Sequence, residues 1–325
     1  MSIVCAFDQT VHATRESLHE HLRDFRISQQ RYYQTYEPRY DLVTNELIPF
    51  RSYEQYINTD FVSKNTLKKW LQANPEKGFE WSKAWLSKRK EAKGLVYAPP
   101  QVELRTLCCP SMPYFNEIGK SEGGYYSIAA ALGFKPRYKA ATPTFSPLAS
   151  DAVILQDTRE QLPVKFTRSV KVETLDVGDY ALDKPYDKGV RIERKSLGDW
   201  AGTLSARAMV RKGKKKTTVW SNFERFDKEL ARAVEQDLYV VMVVEASINE
   251  AQSLNYLPQY KWIKASSEYL FHNLRELLTK YPLNFQAVFI DTKKHKVADK
   301  MTRIFELGEQ VKTLDLQYLY EENEV

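Results

Sequence analysis

Asp179, Glu193 and Lys195 are the residues of this sequence whose types and spacing best suit a chemical reaction. The segment from Val190 to Lys195 alternates apolar and charged residues, which is the period of a half-buried strand. Glu193 and Lys195 are therefore expected on the same face of that strand. Asp179 follows Gly178 in a turn that leads into a neighbouring strand, and this turn is expected to bring its carboxylate beside Glu193.

Two carboxylates that lie side by side repel each other unless a cation lies between them. Oxygen ligands of this kind suit a hard divalent ion, Mg²⁺ or Mn²⁺, which also leaves coordination positions for water and a phosphate oxygen. The neighbouring lysine can hold or activate the attacking water and can stabilise the charge that builds on the phosphate. The pattern predicts metal-dependent hydrolysis of a phosphodiester.

Three motifs between residues 157 and 199 resemble those of the XPF-type nuclease family. In chain order they are Asp157-Thr158-Arg159-Glu160, Gly178-Asp179-Tyr180 and Glu193-Arg194-Lys195-Ser196-Leu197-Gly198-Asp199. The resemblance extends from about residue 151 to about residue 312. It implies a restriction-endonuclease-like core, a mixed sheet flanked by helices, that cuts branched or flapped DNA with Mg²⁺ or Mn²⁺.

The resemblance also assigns roles to individual positions. It implies catalytic roles for Asp157, Asp179, Glu193 and Lys195, with supporting places for Arg159, Glu160, Arg194 and Asp199. Asp157 is expected to help Asp179 and Glu193 hold the metal. Arg159 and Arg194 are expected to stabilise phosphate or to scaffold the site. Asp199 falls in the first turn of a predicted helix, where the helix dipole favours a carboxylate, so a second-shell or structural role is favoured over metal ligation.

Composition and charge are those of an ordinary globular protein, and its modestly basic charge suits a polyanion partner without requiring one. The chain has 325 residues, which suits two domains, and a net charge of +6 with a pI near 8.9. Its three cysteines, Cys5, Cys108 and Cys109, lack the paired spacing of a zinc site and are interpreted as packing residues in a reducing compartment. None of the five histidines is assigned to catalysis. No apolar run is long enough for a membrane span, so a soluble intracellular protein without a membrane partner is expected.

Residues 1–140 are predicted to form a mainly α-helical domain that recognises DNA, and residues 141–150 a linker to a nuclease domain over 151–325. The helical domain contains an internal repeat in which five positions recur 61 residues later. Pro49, Tyr53, Ile57, Leu67 and Leu71 recur as Pro110, Tyr114, Ile118, Ile128 and Leu132. The repeat predicts two helix-turn-helix-like units, with helices over 52–57 and 65–71 and over 112–118 and 125–132. Two ordinary helical hairpins would give the same pattern.

Two basic runs are candidates for phosphate contacts. The first is Lys88, Arg89 and Lys90, at the end of a helix that also carries Trp81 and Trp85. A solvated helix C-terminus would explain this run equally well. The second comprises Arg211, Lys212, Lys214, Lys215 and Lys216, in a predicted loop. A solvated loop and a nuclear-import signal are the alternatives there.

Together these features predict a metal-dependent DNA endonuclease of the XPF type, and a phage-encoded member of that family is one alternative for its source. Two substrate classes remain open: flaps, forks or junctions in repair, recombination or phage DNA processing, and a specific duplex sequence recognised by the helical repeats in the manner of a homing endonuclease. A catalytically idle DNA-binding subunit is the third hypothesis. The resemblance also implies a homodimer or heterodimer through the nuclease domain. The expected location is the cytoplasm of a bacterium or phage-infected cell, or the nucleus of a eukaryote.

Overall fold

The computed structural model describes residues 2–205, 221–294 and 296–322. The chain forms two compact units, each built from two separate segments. The N-terminal unit comprises Met1–Val96 and Leu107–Phe134, and the sheet unit comprises Tyr97–Thr106 and Lys135–Val325. The predicted basic loop at 211–216 lies outside the described residues.

The N-terminal unit is mainly helical and begins with a short hairpin. Its elements are β1 (Ile3–Val4), β2 (Val11–His12), α1 (Arg15–Asp24), α2 (Gln29–Tyr36), α3 (Tyr53–Asn58), α4 (Lys64–Ala73), α5 (Pro75–Lys93), α7 (Met112–Ile118) and α8 (Gly124–Ala131). Serine side chains start several of these helices: the Ser63 hydroxyl accepts the Thr66 N–H at 3.2 Å at the start of α4. The helix pairs α3–α4 and α7–α8 confirm the helices that the 61-residue repeat predicts.

The sheet unit contains a mixed sheet of six strands in its described residues, in the order β4-β3-β5-β6-β7-β8. The strands are β3 (Ile154–Asp157), β4 (Val170–Glu173), β5 (Tyr180–Leu182), β6 (Val190–Ser196), β7 (Tyr239–Glu245) and β8 (Phe285–Phe289). β5 runs antiparallel to both of its neighbours, β3 and β6. The other pairs, β3–β4, β6–β7 and β7–β8, are parallel. The mixed α/β sheet flanked by helices is therefore confirmed.

Helices cover both faces of this sheet. They are α6 (Gln101–Thr106), α9 (Leu197–Leu204), α10 (Asn222–Glu235), α11 (Ile248–Gln252), α12 (Ser267–Lys280), α13 (Val297–Leu307) and α14 (Leu316–Glu321). The central strand β7 is buried on both faces: Val240, Met242 and Val244 pack with α9, α10 and α12, whereas Val241 and Val243 pack with α13 and α14. No helix in the described part of the chain is long and apolar enough to cross a membrane.

The boundary between the units differs from the one that composition predicts. Helix α6 belongs to the sheet unit, where the Gln101 N–H donates to Asp315 Oδ2 at 2.7 Å. The segment 141–150 is irregular, as predicted, but it packs along the sheet unit: the Ser146 N–H donates to the Glu306 carbonyl at 2.9 Å. Phe145 and Leu148 also join the core on the α13 face. A Pro/Ser/Thr-rich composition indicates an irregular backbone, but it does not indicate whether that segment packs against a neighbouring domain.

Candidate active site

Three neighbouring strands carry the predicted catalytic carboxylates on one face of the sheet. The backbone N–H of Asp157 donates to the Asp179 carbonyl at 2.8 Å, and the N–H of Asp179 donates to the Ile192 carbonyl at 2.8 Å. Tyr180 pairs with Ile192 in the β5–β6 register, so Asp179 lies opposite Glu193. Because side chains alternate along each strand, these three carboxylates leave the sheet on the face opposite the Tyr180 ring.

The turn before β5 positions the Asp179 carboxylate. Gly178 has a φ of +75°, and a Cβ at this position would lie 3.2 Å from the Ile192 carbonyl oxygen, so glycine is required here. Asp179 Oδ2 accepts a hydrogen bond from the Arg194 N–H at 2.8 Å. Among the described residues Oδ1 accepts none, which leaves this oxygen for a ligand.

Glu193 and Lys195 lie two residues apart on β6 and form a direct ion pair. The Glu193 side chain is 7% exposed and the Lys195 side chain 18% exposed. Their shared face follows from the strand period, as the sequence predicts. The ammonium group therefore lies within a mostly buried cluster of negative charge, where a point charge has its largest effect.

Burial raises the pKa of both Asp179 and Glu193. For Asp179 burial is the largest cause and the pKa rises to about 6, with Glu160 and Glu229 adding to the increase and Lys195 opposing it. Burial also raises the pKa of Glu193, the charges of Asp179 and Glu229 act in the same direction, and Lys195 again opposes them. Burial outweighs the charge of Lys195 for both groups, and a cation bound between the two carboxylates would lower both pKa values further.

Asp157 differs from these two residues because both of its carboxylate oxygens already accept hydrogen bonds. Oδ1 accepts from the N–H and the Nε of Arg159, each at 2.7 Å, and Oδ2 accepts from the Leu175 N–H at 2.7 Å. The side chain is only 1% exposed. Burial favours a higher pKa, but the bonds from Arg159 and Leu175 outweigh it and hold the pKa of Asp157 below its usual value. In this arrangement Asp157 anchors Arg159 and the end of β3.

The substitution Asp157→Asn is expected to destabilise the fold. It removes the ion pair to Arg159 and turns an NH₂ group toward N–H donors, so the free energy of unfolding should fall by roughly 1–3 kcal/mol. Because the pKa of Asp157 is lowered on folding, its contribution is present at neutral pH and is lost as pH falls through the acidic range. Urea denaturation at pH 7 measures the loss. Unchanged stability would show that these hydrogen bonds are not maintained in solution.

The Arg194 side chain contacts two carboxylates, Glu245 and Glu160. Arg194 Nε donates to Glu245 Oε1 at 2.5 Å, and its Nη1 lies 3.7 Å from Glu160 Oε1. Alternation along β6 sends the Arg194 side chain to the opposite face from its two neighbours. Of the two roles predicted for Arg194, this geometry is that of a scaffold joining the ends of β6 and β7.

Asp199 completes the start of α9. The Ser196 hydroxyl donates to Asp199 Oδ2 at 2.6 Å and accepts from the Asp199 N–H at 3.1 Å. This reciprocal pair satisfies a backbone donor at the helix N-terminus. Its carboxylate is thus committed to the helix cap, in the structural role that the sequence favours.

Glu229 on α10 joins the site, although no motif pointed to it. Its Oε1 accepts the Gly178 N–H at 2.9 Å and so fixes the turn before Asp179. Its charge also acts on Asp179, Glu193 and Lys195. The sequence signal for this residue is weak: a single acidic residue on an amphipathic helix, 51 residues from the glycine that it contacts.

Two of the three residues in the first basic run are committed to internal contacts. Arg89 is 2% exposed, and its Nη1 donates to Asn58 Oδ1 at 2.7 Å. Lys90 Nζ donates to the carbonyls of Leu132 and Gly133 at 2.9 and 2.8 Å, which closes the C-terminus of α8. Arg89 is buried and so is not placed to contact a phosphate, which contradicts the prediction for this residue. Lys90 is partly exposed, and its phosphate contact stays a prediction. Lys88 is exposed and keeps that prediction.

Removing the Arg89 side chain is expected to destabilise the N-terminal unit. The substitution Arg89→Ala removes the hydrogen bond to buried Asn58 and the ion pair to Glu54, a loss of about 3 kcal/mol in comparable buried pairs. Lys88→Ala is the matched control, because an exposed lysine contributes within about 0.5 kcal/mol. Thermal unfolding compares the two variants. Equal melting temperatures would contradict a structural role for Arg89.

Two of the three carboxylates predicted to hold the metal, Asp179 and Glu193, suit a hard divalent ion. The only group of three cysteine, histidine or acidic side chains in the described residues with ligand atoms mutually within 4.8 Å is Cys5, Asp8 and His21, in the N-terminal unit. Asp157 does not complete a similar group at the sheet, because its oxygens face Arg159. Asp179 and Glu193 are both carboxylates and fit Mg²⁺ or Mn²⁺ by their chemistry.

Comparison with known proteins adds no assignment to this geometry. No protein-family model matches the chain, and no curated protein matches it significantly. The resemblance to XPF-type nucleases therefore rests on the three motifs and stays a prediction. The observations that bear on function are the contacts within the sheet unit.

Proposed function

We propose that the protein is a metal-dependent DNA endonuclease that hydrolyses phosphodiester bonds through Asp179, Glu193 and Lys195. The observation that carries this proposal is the pairing of Asp179 opposite Glu193 on adjacent strands, with Lys195 on the same face. A buried and a half-buried carboxylate with raised pKa values, together with one ammonium group, match the needs of phosphodiester hydrolysis. The restriction-endonuclease-like fold and the XPF family are part of the proposal.

Each side chain has a distinct task in this scheme. Asp179, through its unbonded Oδ1, and Glu193 would hold Mg²⁺ or Mn²⁺, and such an ion supplies positive charge to the phosphate and lowers the pKa of water. Lys195 holds the attacking water and stabilises charge on the phosphate oxygens. Glu229 fixes the turn before Asp179, and Arg159, 67% exposed and tied to Asp157, is available to a substrate phosphate.

Exposed aromatic rings near the end of β6 favour DNA with unpaired nucleotides as the substrate. Tyr256 is 86% exposed and Trp262 is 65% exposed, in a segment that also contains Lys261 and Lys264. Trp262 lies beside Gly198, three residues after Lys195: a Cβ on this glycine would be 3.7 Å from the indole. Aromatic rings combined with lysines bind unpaired bases by stacking and charge. This supports a structure-specific nuclease over a sequence-specific one.

Cleavage of a panel of labelled DNA molecules tests the proposal. The panel comprises linear duplex, single strand, flap, fork and four-way junction, each with Mg²⁺ or Mn²⁺, and the variant Asp179→Asn is the inactive control. We expect cleavage of flaps or forks by the wild-type protein alone. Cleavage confined to one duplex sequence would favour the homing-type alternative. Absence of cleavage on every substrate, with binding retained, would favour the non-catalytic subunit.

The substitution Trp262→Ala is expected to weaken binding to flap and single-stranded DNA by roughly 5- to 100-fold, the equivalent of one lost stacking contact. Binding to linear duplex should change little, because paired bases offer no free face to the indole. Fluorescence anisotropy measures both affinities. Leu283→Ala serves as the control, since Leu283 is a similarly exposed apolar residue outside this segment. Equal losses on duplex and flap would contradict the stacking role.

A further inference from the structure

A second cluster of metal-ligand side chains lies in the N-terminal unit, at the hairpin β1–β2 and the helix α1. Cys5, Asp8 and His21 each offer one ligand atom, and these three atoms lie within 4.8 Å of one another. The nitrogen of His21 contacts Asp8 Oδ2 at 2.7 Å. No residue of the proposed nuclease site takes part in this cluster.

We propose that Cys5, Asp8 and His21 bind a structural Zn²⁺ ion, with His12 as the fourth ligand. A tetrahedral zinc site with one sulfur and otherwise nitrogen and oxygen ligands has metal–ligand distances of about 2.0–2.3 Å. Its ligand atoms are then roughly 3.3–3.8 Å apart, so a cluster whose atoms already lie within 4.8 Å needs only small side-chain adjustments.

His12 is adjacent to this cluster. The Thr10 hydroxyl contacts His12 Nε2 at 2.9 Å and His21 Nε2 at 3.1 Å, so one small side chain joins the two imidazoles. The ring centroids of the two histidines are 4.7 Å apart. Two imidazoles with their Nε2 atoms turned toward the same hydroxyl can both reach one ion after a rotation of the His12 side chain.

The backbone between Cys5 and Thr10 folds to bring the ligands together. The Cys5 N–H donates to the Thr10 carbonyl at 2.8 Å, and the Gln9 N–H donates to the Cys5 carbonyl at 2.8 Å. This tight turn holds Asp8 close to the thiol of Cys5. Helix α1, capped by Thr14, then supplies His21 from the other side.

A bound metal would stabilise the short hairpin β1–β2. β1 and β2 contain two residues each, and so short a hairpin is not stable alone. Cys5 is fully buried, whereas the Asp8 and His21 side chains are 24% and 18% exposed, so the cluster has an inner thiol and an open outer side for metal entry. A bound ion would tie the hairpin to α1, as structural zinc does in small domains.

The donor types favour Zn²⁺ over the ion proposed for the sheet. A thiolate and two imidazoles are soft or borderline ligands that suit Zn²⁺ or Co²⁺, whereas Mg²⁺ takes oxygen ligands. The two sites can therefore be examined separately with different metals. Loss of one does not imply loss of the other.

Metal content and spectroscopy of the full-length chain test this proposal. We expect the purified wild-type protein to hold about one Zn²⁺ per chain by elemental analysis. Replacement by Co²⁺ should give visible d–d bands of a tetrahedral ion and a thiolate-to-cobalt charge-transfer band. Removal of the metal with a chelator should lower the melting temperature, and Zn²⁺ alone should restore it. Absence of stoichiometric zinc together with absence of the cobalt spectrum would overturn the proposal.

Variants assign the ligands. Cys5→Ser should remove the charge-transfer band, and His21→Gln should weaken Co²⁺ binding by at least about tenfold, while His12→Gln should have a smaller effect. His19→Gln is the matched control on the same helix, because His19 contacts Tyr33 and lies outside the cluster. A charge-transfer band that persists in Cys5→Ser would overturn the assignment. If Cys5→Ser does not fold, Asp8→Asn provides the test, since it must weaken Co²⁺ binding while the thiol remains.

Discussion

Replacing Asp179 with asparagine is expected to abolish DNA cleavage and, at the same time, to stabilise the metal-free protein at pH 8. Cleavage should fall by roughly 10³-fold or more, because the residue loses the charge that we propose holds the metal. Asparagine keeps an oxygen that can accept the Arg194 N–H. The turn and the strand register should therefore survive, and the change isolates the carboxylate charge.

The gain in stability follows from the direction of the pKa shift. The pKa of Asp179 rises from 3.8 to about 6 on folding, so the folded state binds this proton more tightly than the unfolded state. The stabilising contribution is present below about pH 4 and is lost as pH rises to about 6. Above that pH the ionised carboxylate costs about 1–3 kcal/mol, and the asparagine variant avoids this cost. Glu193, with its pKa also raised, acts in the same sense.

Thermal unfolding with and without Mg²⁺ or Mn²⁺ measures this effect. At pH 8 the metal-free variant should melt at a higher temperature than the metal-free wild type, and at pH 4 the difference should disappear. Added metal should stabilise the wild type, because it binds only the folded state, and should leave the variant almost unchanged. If the variant is less stable than the wild type at pH 8, the ionised Asp179 carboxylate stabilises the metal-free fold, which contradicts this prediction.

Replacing Lys195 with methionine is expected to stop cleavage without loss of metal binding. The loss should be roughly 10²- to 10⁴-fold, the range for removal of a group that transfers a proton or stabilises charge in the transition state. Glu193 and Asp179 remain, and without the ammonium they form a more negative site. Lys195 lowers the pKa of both carboxyl groups in the wild type, so its removal should shift metal binding to higher pH.

Isothermal titration with Mn²⁺ across the pH range separates this outcome from that of Asp179→Asn. Once both carboxyl groups are ionised, we expect the methionine variant to bind Mn²⁺ at least as tightly as the wild type, whereas Asp179→Asn should bind it poorly at every pH. Lys195→Arg is the control that retains the charge while changing its position. Cleavage by Lys195→Met near the wild-type rate would exclude Lys195 from the reaction, whatever the metal affinity.

The sequence predicts the strands of the proposed active site well because their signal is local. Alternation over Val190 to Lys195 indicates β6 and the shared face of Glu193 and Lys195, and both are found. The glycine before Asp179 indicates the turn, and the apolar run at 240–244 indicates the buried central strand β7. Each prediction depends on residues within a few positions of one another, where the period of the backbone determines which face a side chain takes.

The tertiary structure decides which partners those side chains meet. Glu229 reaches Gly178 across 51 residues, and no local pattern encodes that contact. Asp157 belongs to the first of the three motifs, yet its oxygens accept hydrogen bonds from Arg159 and Leu175, because backbone donors near the end of β3 also need acceptors. Lys90 lies in a basic run that suggests phosphate but serves the carbonyls at the end of α8.

The cluster of Cys5, Asp8 and His21 shows most clearly what the sequence predicts and what only the tertiary structure decides. By sequence alone Cys5 is a packing residue and the histidines have no ligand spacing, since the intervals between Cys5, Asp8, His12 and His21 match no paired zinc motif. The structure brings a thiol, a carboxylate and an imidazole within 4.8 Å. Local periodicity is set by the geometry of one strand or helix and can be read from the sequence, whereas the approach of a turn to a helix depends on the packing of the whole unit.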